Sequence, residues 1–418
     1  MKKTFKLLAA AASVAVCLAA FSSCDDKDDN KTSELSSEEA AIKAAVEEYV
    51  PNVIYKIYGN LADETESLNE QLAALKDAFK KDPNSVSQAD IDKACRTFLS
   101  ARSWWEQSEA FLYGAATQFG IDPHIDSWPL DKDKLAKSLS NAVTIADLDE
   151  EGAGAVDEVG AASLGFHGIE FILFRDGASR KIADLKGNET DEAFADYSVS
   201  GVSEIIFASA VAEDLMNYCF ELQVSWDPDA PADRRELVED ELELNTTVAG
   251  SDISYGENLL LTGKAGSTYK TWPEAAAKIL IAGCSNICNE VANTKIGTAH
   301  YVNGEEYDPD YIESPYSKKS YQDFKDNILS IQYSLYGAAG ATSASSKSLM
   351  TFLKSKGYAN ASALESDLKA AIASLDECLA SGVAFVDDPT AAVAEKAIVA
   401  INKLDGDLND AADWISKL

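Results

Sequence analysis

Residues 36–61 read SSEEAAIKAAVEEYVPNVIYKIYGNL, and their periodicity decides the fold class. Ser36 and Glu39 have the spacing of a capping box, in which each side chain satisfies an N–H left free at a helix start. Behind them Ile42, Val46, Val50, Val53, Ile54, Ile57 and Leu61 recur every three or four positions. That spacing lays one apolar stripe along a long helix. Pro51 lacks an N–H and its ring crowds the preceding turn, so a kink or a division is expected there.

The same period continues outward. A second helix is expected from about Ser87, with Ile91, Cys95, Phe98 and Trp105 on one face. Residues 131–148, 161–174, 191–222, 317–337, 346–356, 362–380 and 390–416 also read helical, and Thr271-Trp272-Pro273-Glu274 starts another helix. Residues 121–129, with two prolines, and the glycine-marked stretch 151–160 read as irregular. Trp226 to Pro231 is a break, and 245–267 is polar with no sustained period. Strand signals are scarce. The expectation is an all-α chain of two helical bundle-like domains packed side by side, 36–225 and 271–418, joined by an irregular excursion over 226–270.

The first 23 residues read as an export leader. Lys2, Lys3 and Lys6 precede an apolar run from Leu7 to Ala20, too short to span a membrane comfortably. Phe21-Ser22-Ser23-Cys24 resembles a bacterial lipobox, which makes Cys24 the expected lipidated N-terminus. Residues 24–35, with Asp25, Asp26, Asp28 and Asp29, read as a disordered acidic tether. The expected address is a Gram-negative membrane, the outer membrane first, with the body facing the periplasm or the surface. No later apolar run is long enough to span a membrane.

The chain carries 36 Lys+Arg and 70 Asp+Glu, a net charge of −34; losing Lys2, Lys3 and Lys6 with the leader takes it to −37. Such a surface repels nucleic acid and favours cations. Seven cysteines occur, but Cys95, Cys219, Cys284, Cys288 and Cys378 sit in apolar patterns and form no paired zinc motif, so they read as buried hydrophobes.

His124, His167 and His300 are the only histidines. H-E-x-x-H, G-x-S-x-G, Walker and dinucleotide-glycine motifs are all absent. Gly165-Phe166-His167-Gly168-Ile169-Glu170 stands out. His167 and Glu170 are three apart and share a helix face, half of a site for iron or zinc. Gly165 and Gly168 would let another backbone approach. Further oxygen ligands must come from elsewhere, with Glu106, Glu109 and Asp126 the best placed. A His–Glu hydrogen bond inside a helical core is the competing reading, which would make the chain a structural scaffold.

The hexapeptide matches the G-x-H-x-x-E signature of imelysin-like proteins. Trp105 to Gly114 resembles that family's W-x-x-x-E-x-F-x-x-G helix, and Asp126-Ser127-Trp128-Pro129 its D-x-W-P segment. Glu313-Ser314-Pro315-Tyr316-Ser317, followed by Asp323 and Asn327, resembles its E-S-x-x-S region. Ala115, Gly168 and Phe174 depart from the family's commoner proline, alanine and tryptophan. The resemblance implies two helical domains with the motif in a cleft where they meet, in a lipoprotein linked to iron uptake. His167, Glu170, Glu109 and Asp126 would then hold a metal ion, iron ahead of zinc and a hard cation ahead of haem. Gly165, Trp105, Trp128, Glu313, Ser314 and Ser317 would line the cleft, and the partners would be the membrane, the ligand and a transporter. The family also carries a peptidase label. A metallopeptidase needs an open metal position and a base for its water, and one His with one Glu leaves too few ligands, so no catalytic residue is assigned.

Overall fold

Pro51 widens the first helix without ending it. In the computed structural model, which describes residues 35–418, an α-helix over Ser37–Tyr49 runs into a six-residue π-helical stretch, Val50–Tyr55, and on into an α-helix over Lys56–Lys81. A wider turn accommodates the proline ring and its missing donor. The capping box forms as read: Ser36 accepts from the Glu39 N–H at 3.0 Å, and Glu39 accepts from the Ser36 N–H at 2.9 Å. The leader, Cys24 and the tether up to residue 34 lie outside the described residues.

The fold is all-α, and the only strands among the described residues are a two-residue hairpin, Phe174–Arg175 against Ala178–Ser179. Lys56–Lys81 packs against Gln88–Glu106 and against Gly201–Trp226. The Gly201–Trp226 helix is buried along nearly its whole length, which fits a sequence apolar on most sides. Farther along the chain, Ala361–Ala380 and Ala392–Ile415 pack together, and Ser320–Tyr336 lies against the former. Residues 36–418 form one compact unit, and one buried apolar cluster runs from Ile42 to Ile415.

Elements from distant parts of the sequence meet in that core. Ser37–Tyr49 packs on Trp272–Lys278 and Leu349–Ser355, and Ser320–Tyr336 packs on Gln88–Glu106. Several local expectations shift. Residues 121–125 form a short helix where irregular chain was expected. The helix expected from 191 begins only at Gly201, where the Ser200 side chain caps it by accepting from the Ser203 N–H at 3.2 Å. The stretch 226–270 contains helical segments at Ala232–Arg235, Glu236–Glu241 and Tyr255–Leu260. The five described cysteines are free and buried, and no described helix is long and apolar enough to cross a membrane.

Candidate functional site

Gly165 opens the helix Gly165–Leu173 at a φ of 62°, a conformation in which glycine carries no steric penalty. A Cβ there would collide with the Ile125 carbonyl, and one at Gly168 with the Ser163 carbonyl. Close approach of backbone, read from the glycine spacing, is therefore what these residues permit. It brings Asp126, one residue past Ile125, beside the buried His167 ring: Asp126 Oδ1 lies 3.0 Å from His167 Nε2.

Glu170 is on the same helix face, its Oε2 3.5 Å from His167 Nδ1. Its Oε1 accepts from the Ser317 backbone N–H at 2.7 Å. Tyr316, next to it, accepts from the Gly177 N–H through its carbonyl at 2.9 Å and sets its ring edge-on to Phe171 at 5.1 Å. The segment 313–317 is thus pinned to the His167 helix by its backbone.

Asp126 is also held by Trp105, whose Nε1 donates to Oδ2 at 2.7 Å, and by the Arg102 guanidinium. Trp105 is fully buried and stacks on Phe166, so it supports Asp126 from inside the core. Trp128 is half-buried and packs against Tyr311 at 4.3 Å between ring centres. Together with Pro129, Ile312, Pro315 and Tyr316 it lines a cavity of about 530 Å³ that reaches His167.

Two buried cations complete the cluster, and neither was assigned from the sequence. Arg102 contacts Glu106 and Asp126 and donates to Glu313 Oε1 at 2.7 Å. Lys295 Nζ lies 3.1 Å from Glu313 Oε1 and 3.6 Å from both Glu106 Oε2 and Glu109 Oε1. Each carried a signal, because a charged residue interrupts an apolar stripe: Arg102 follows Phe98 by one turn, and Lys295 follows Val291. Lys295 lies in a π-helical stretch, Glu290–Ile296, a distortion frequent at functional sites. Asn327 donates to Glu106 Oε2 at 2.5 Å, and Ser314 Oγ to Asp323 Oδ2 at 2.5 Å.

The carboxylates Glu106, Glu109, Asp126, Glu170, Glu313 and Asp323 outnumber the fixed cations around them. Burial raises the Glu313 carboxyl to about 7 and holds Glu109 and Asp323 well above the ordinary carboxylate range, with neighbouring acids adding to each shift. Burial works the same way on Asp126, but Arg102 and His167 outweigh it and hold Asp126 well below that range. For His167 burial would favour the neutral ring, yet Asp126 and Glu170 raise it to about 9. Part of the cluster's excess negative charge is therefore neutralised by protons.

Several polar atoms here have no aligned hydrogen-bond partner: His167 Nε2, Glu170 Oε2, Glu313 Oε2 and Glu106 Oε1. His167 Nε2 and Glu106 Oε1 are nonetheless within ion-pair reach of Asp126 and Arg102. One donor atom from each of Asp126, His167 and Glu313 lies within 4.8 Å of the others, and the same holds for Glu106, Glu109 and Asp126. An imidazole with carboxylates suits iron or zinc. Arg102 and Lys295 set the limit, because an incoming cation must share carboxylates with them. Glu313 binds protein through one oxygen and keeps the other free, which is what such sharing requires.

The other imidazoles are engaged elsewhere: His124 Nε2 with Asp214 Oδ2 at 2.8 Å, and His300 Nε2 with Glu395 Oε2 at 2.8 Å. The cluster therefore has one histidine.

A family model described as imelysin matches residues 55–410. Iron-regulated protein A of Synechococcus elongatus is 23% identical over 282 residues, which cover 68% of this chain and 61% of that protein's length. The structure of a protein described as an iron-regulated protein A precursor from Parabacteroides distasonis superposes with a TM-score of 0.70 at 23% identity, covering 91% of this chain and 96% of the other. An imelysin-like protein from Psychrobacter arcticum gives 0.56 at 13% identity, covering 89% and 94%. At these identities the two structures show a shared fold.

Proposed function

The chain belongs to the imelysin family, and from that premise we propose that it captures an iron cation in the buried cluster around His167 for an iron-uptake system. The observation that carries this reading is the convergence of Asp126, His167 and Glu313, each offering one donor atom within 4.8 Å of the others, with Glu313 Oε2 buried and unpartnered, in a cluster that a cavity reaches. Buried polar atoms are otherwise almost always hydrogen-bonded. Asp126, His167 and Glu313 are the ligands, with Glu170 a fourth donor or the group that orients His167. A curated relative named for regulation by iron is consistent with that cargo. Lipidation at Cys24 would hold the body at a Gram-negative membrane, the outer membrane first, where a transporter could receive the ion.

Titration of the purified protein with Fe(II) under anaerobic conditions, with Fe(III) citrate and with Zn(II) tests the reading. Saturable iron binding is expected, weakened at least tenfold in His167→Ala and Glu313→Gln. Absence of binding by any of the three metals, in a protein that melts cooperatively, leaves the cluster a structural core. Cleavage of casein that chelation and Glu170→Ala both abolish would favour a peptidase instead.

A further inference from the structure

The His167 cavity does not account for a second one, of about 440 Å³, built largely by the 226–270 excursion. The two share no lining residue. Tyr113, Trp226, Tyr255 and Tyr269 give the second cavity an aromatic wall. Trp226 sits against Gly114, where any Cβ would collide with the indole. Trp226 and Tyr255 are tilted at 42° with ring centres 5.8 Å apart.

The polar groups are arranged around that wall. Asn258 donates to Thr268 Oγ1 at 2.9 Å and accepts from the Thr268 N–H at 2.7 Å, so both side chains are positioned in advance. Glu274 Oε2 accepts from the Lys270 N–H at 2.7 Å. Gln118 is exposed at the rim. Two further polar atoms on lining residues, Trp226 Nε1 and the Tyr255 hydroxyl, have no protein partner although both residues are at least nine-tenths buried.

We propose that this cavity is a binding site for a neutral sugar ring. A pyranose has a C–H face that packs on aromatic rings and an edge of hydroxyls that needs both donors and acceptors, which is the combination present here. Charge argues for a neutral ligand. Glu274 and Lys278 both line the cavity and offset each other. Lys278 Nζ already sits 5.9 Å from the Tyr113 ring centre, where a quaternary ammonium would meet a like charge. An anion would meet Glu274 and the strong net negative charge of the chain. A purely apolar guest would leave Trp226 Nε1 and the Tyr255 hydroxyl without partners.

The test is saturation-transfer NMR on the purified protein with D-glucose, D-galactose and N-acetyl-D-glucosamine, with choline as the cationic competitor. Transfer to the ring C–H protons of at least one sugar is expected. It should fall about tenfold in Tyr269→Ala and in Ala249→Trp, which places a bulky side chain at the exposed rim. Iron titration of both variants should match the parent, which separates this site from the His167 cluster and shows that both variants fold. No transfer from any of the sugars, transfer unchanged in both variants, or binding of choline that sugars do not displace would each overturn the proposal.

Discussion

Arg102 Nη2 donates to Glu313 Oε1 at 2.7 Å, although the two residues are 211 positions apart. Both are essentially excluded from solvent. The pair ties the helix Gln88–Glu106 to the segment that carries Ser314 and Ser317. Removing one partner of a buried ion pair leaves a charge uncompensated, which typically costs about 3–5 kcal/mol. Arg102→Met should therefore lower stability by about that amount in urea denaturation, with part of the loss recovered in Arg102→Met/Glu313→Gln. A change under about 1 kcal/mol would remove Arg102 from its place as the neutralising cation.

Gly165→Ala tests the close approach that positions Asp126. The new Cβ would meet the Ile125 carbonyl in a backbone conformation that disfavours side chains. A loss of about 2–4 kcal/mol in thermal or chemical unfolding is expected, together with weaker iron binding as Asp126 is pushed from His167. Parent-like stability and binding would show that the approach is dispensable.

Iron affinity should rise with pH. The His167 ring keeps a proton up to about 9 in the metal-free protein, because Asp126 and Glu170 outweigh the effect of burial. A metal must displace that proton, so the apparent affinity should increase roughly tenfold per unit between pH 7 and 9. Calorimetry in buffers of different ionisation enthalpy should register proton release on binding. A pH-independent affinity over that window would exclude His167 as a ligand.

Glu221 offers a stability measurement away from that cluster. Burial raises its carboxyl from 4.5 to about 7, with the nearby His124 side chain opposing the shift. Between those values the folded chain binds more protons than the unfolded one, so this group's contribution is most favourable below 4.5 and is lost as pH rises through 7. Glu221→Gln should be more stable than the parent at pH 8, by about 2 kcal/mol, with the advantage shrinking toward pH 4.5. Parallel stability curves for the two proteins would contradict the assignment.

Helices were legible wherever an apolar stripe met a cap. The Ser36/Glu39 box, the Thr271-Trp272-Pro273-Glu274 start and the helix Ala361–Ala380 all lie where the spacing places them. Less legible was the outcome at Pro51, because kink, break and widened turn share one sequence signature. Around His167 the carboxylates and the imidazole could be named from the chain. Arg102 and Lys295 could not, since a lone cation on an apolar face identifies no partner.

The all-α class and most of the helices were set by the chain's local pattern, because capping and periodicity act within a few residues. The sequence also determined which residue types were available for chemistry. Only the tertiary structure decided which of them meet. Asp126 reaches His167 because the Ile125 carbonyl seats on Gly165, and Glu313 joins them through Arg102 and Lys295. Burial then raised Glu313 and Glu109, while Arg102 and His167 held Asp126 down. The physical reason is range: the pairing and desolvation of a charge depend on groups tens to hundreds of residues away, which no local pattern encodes.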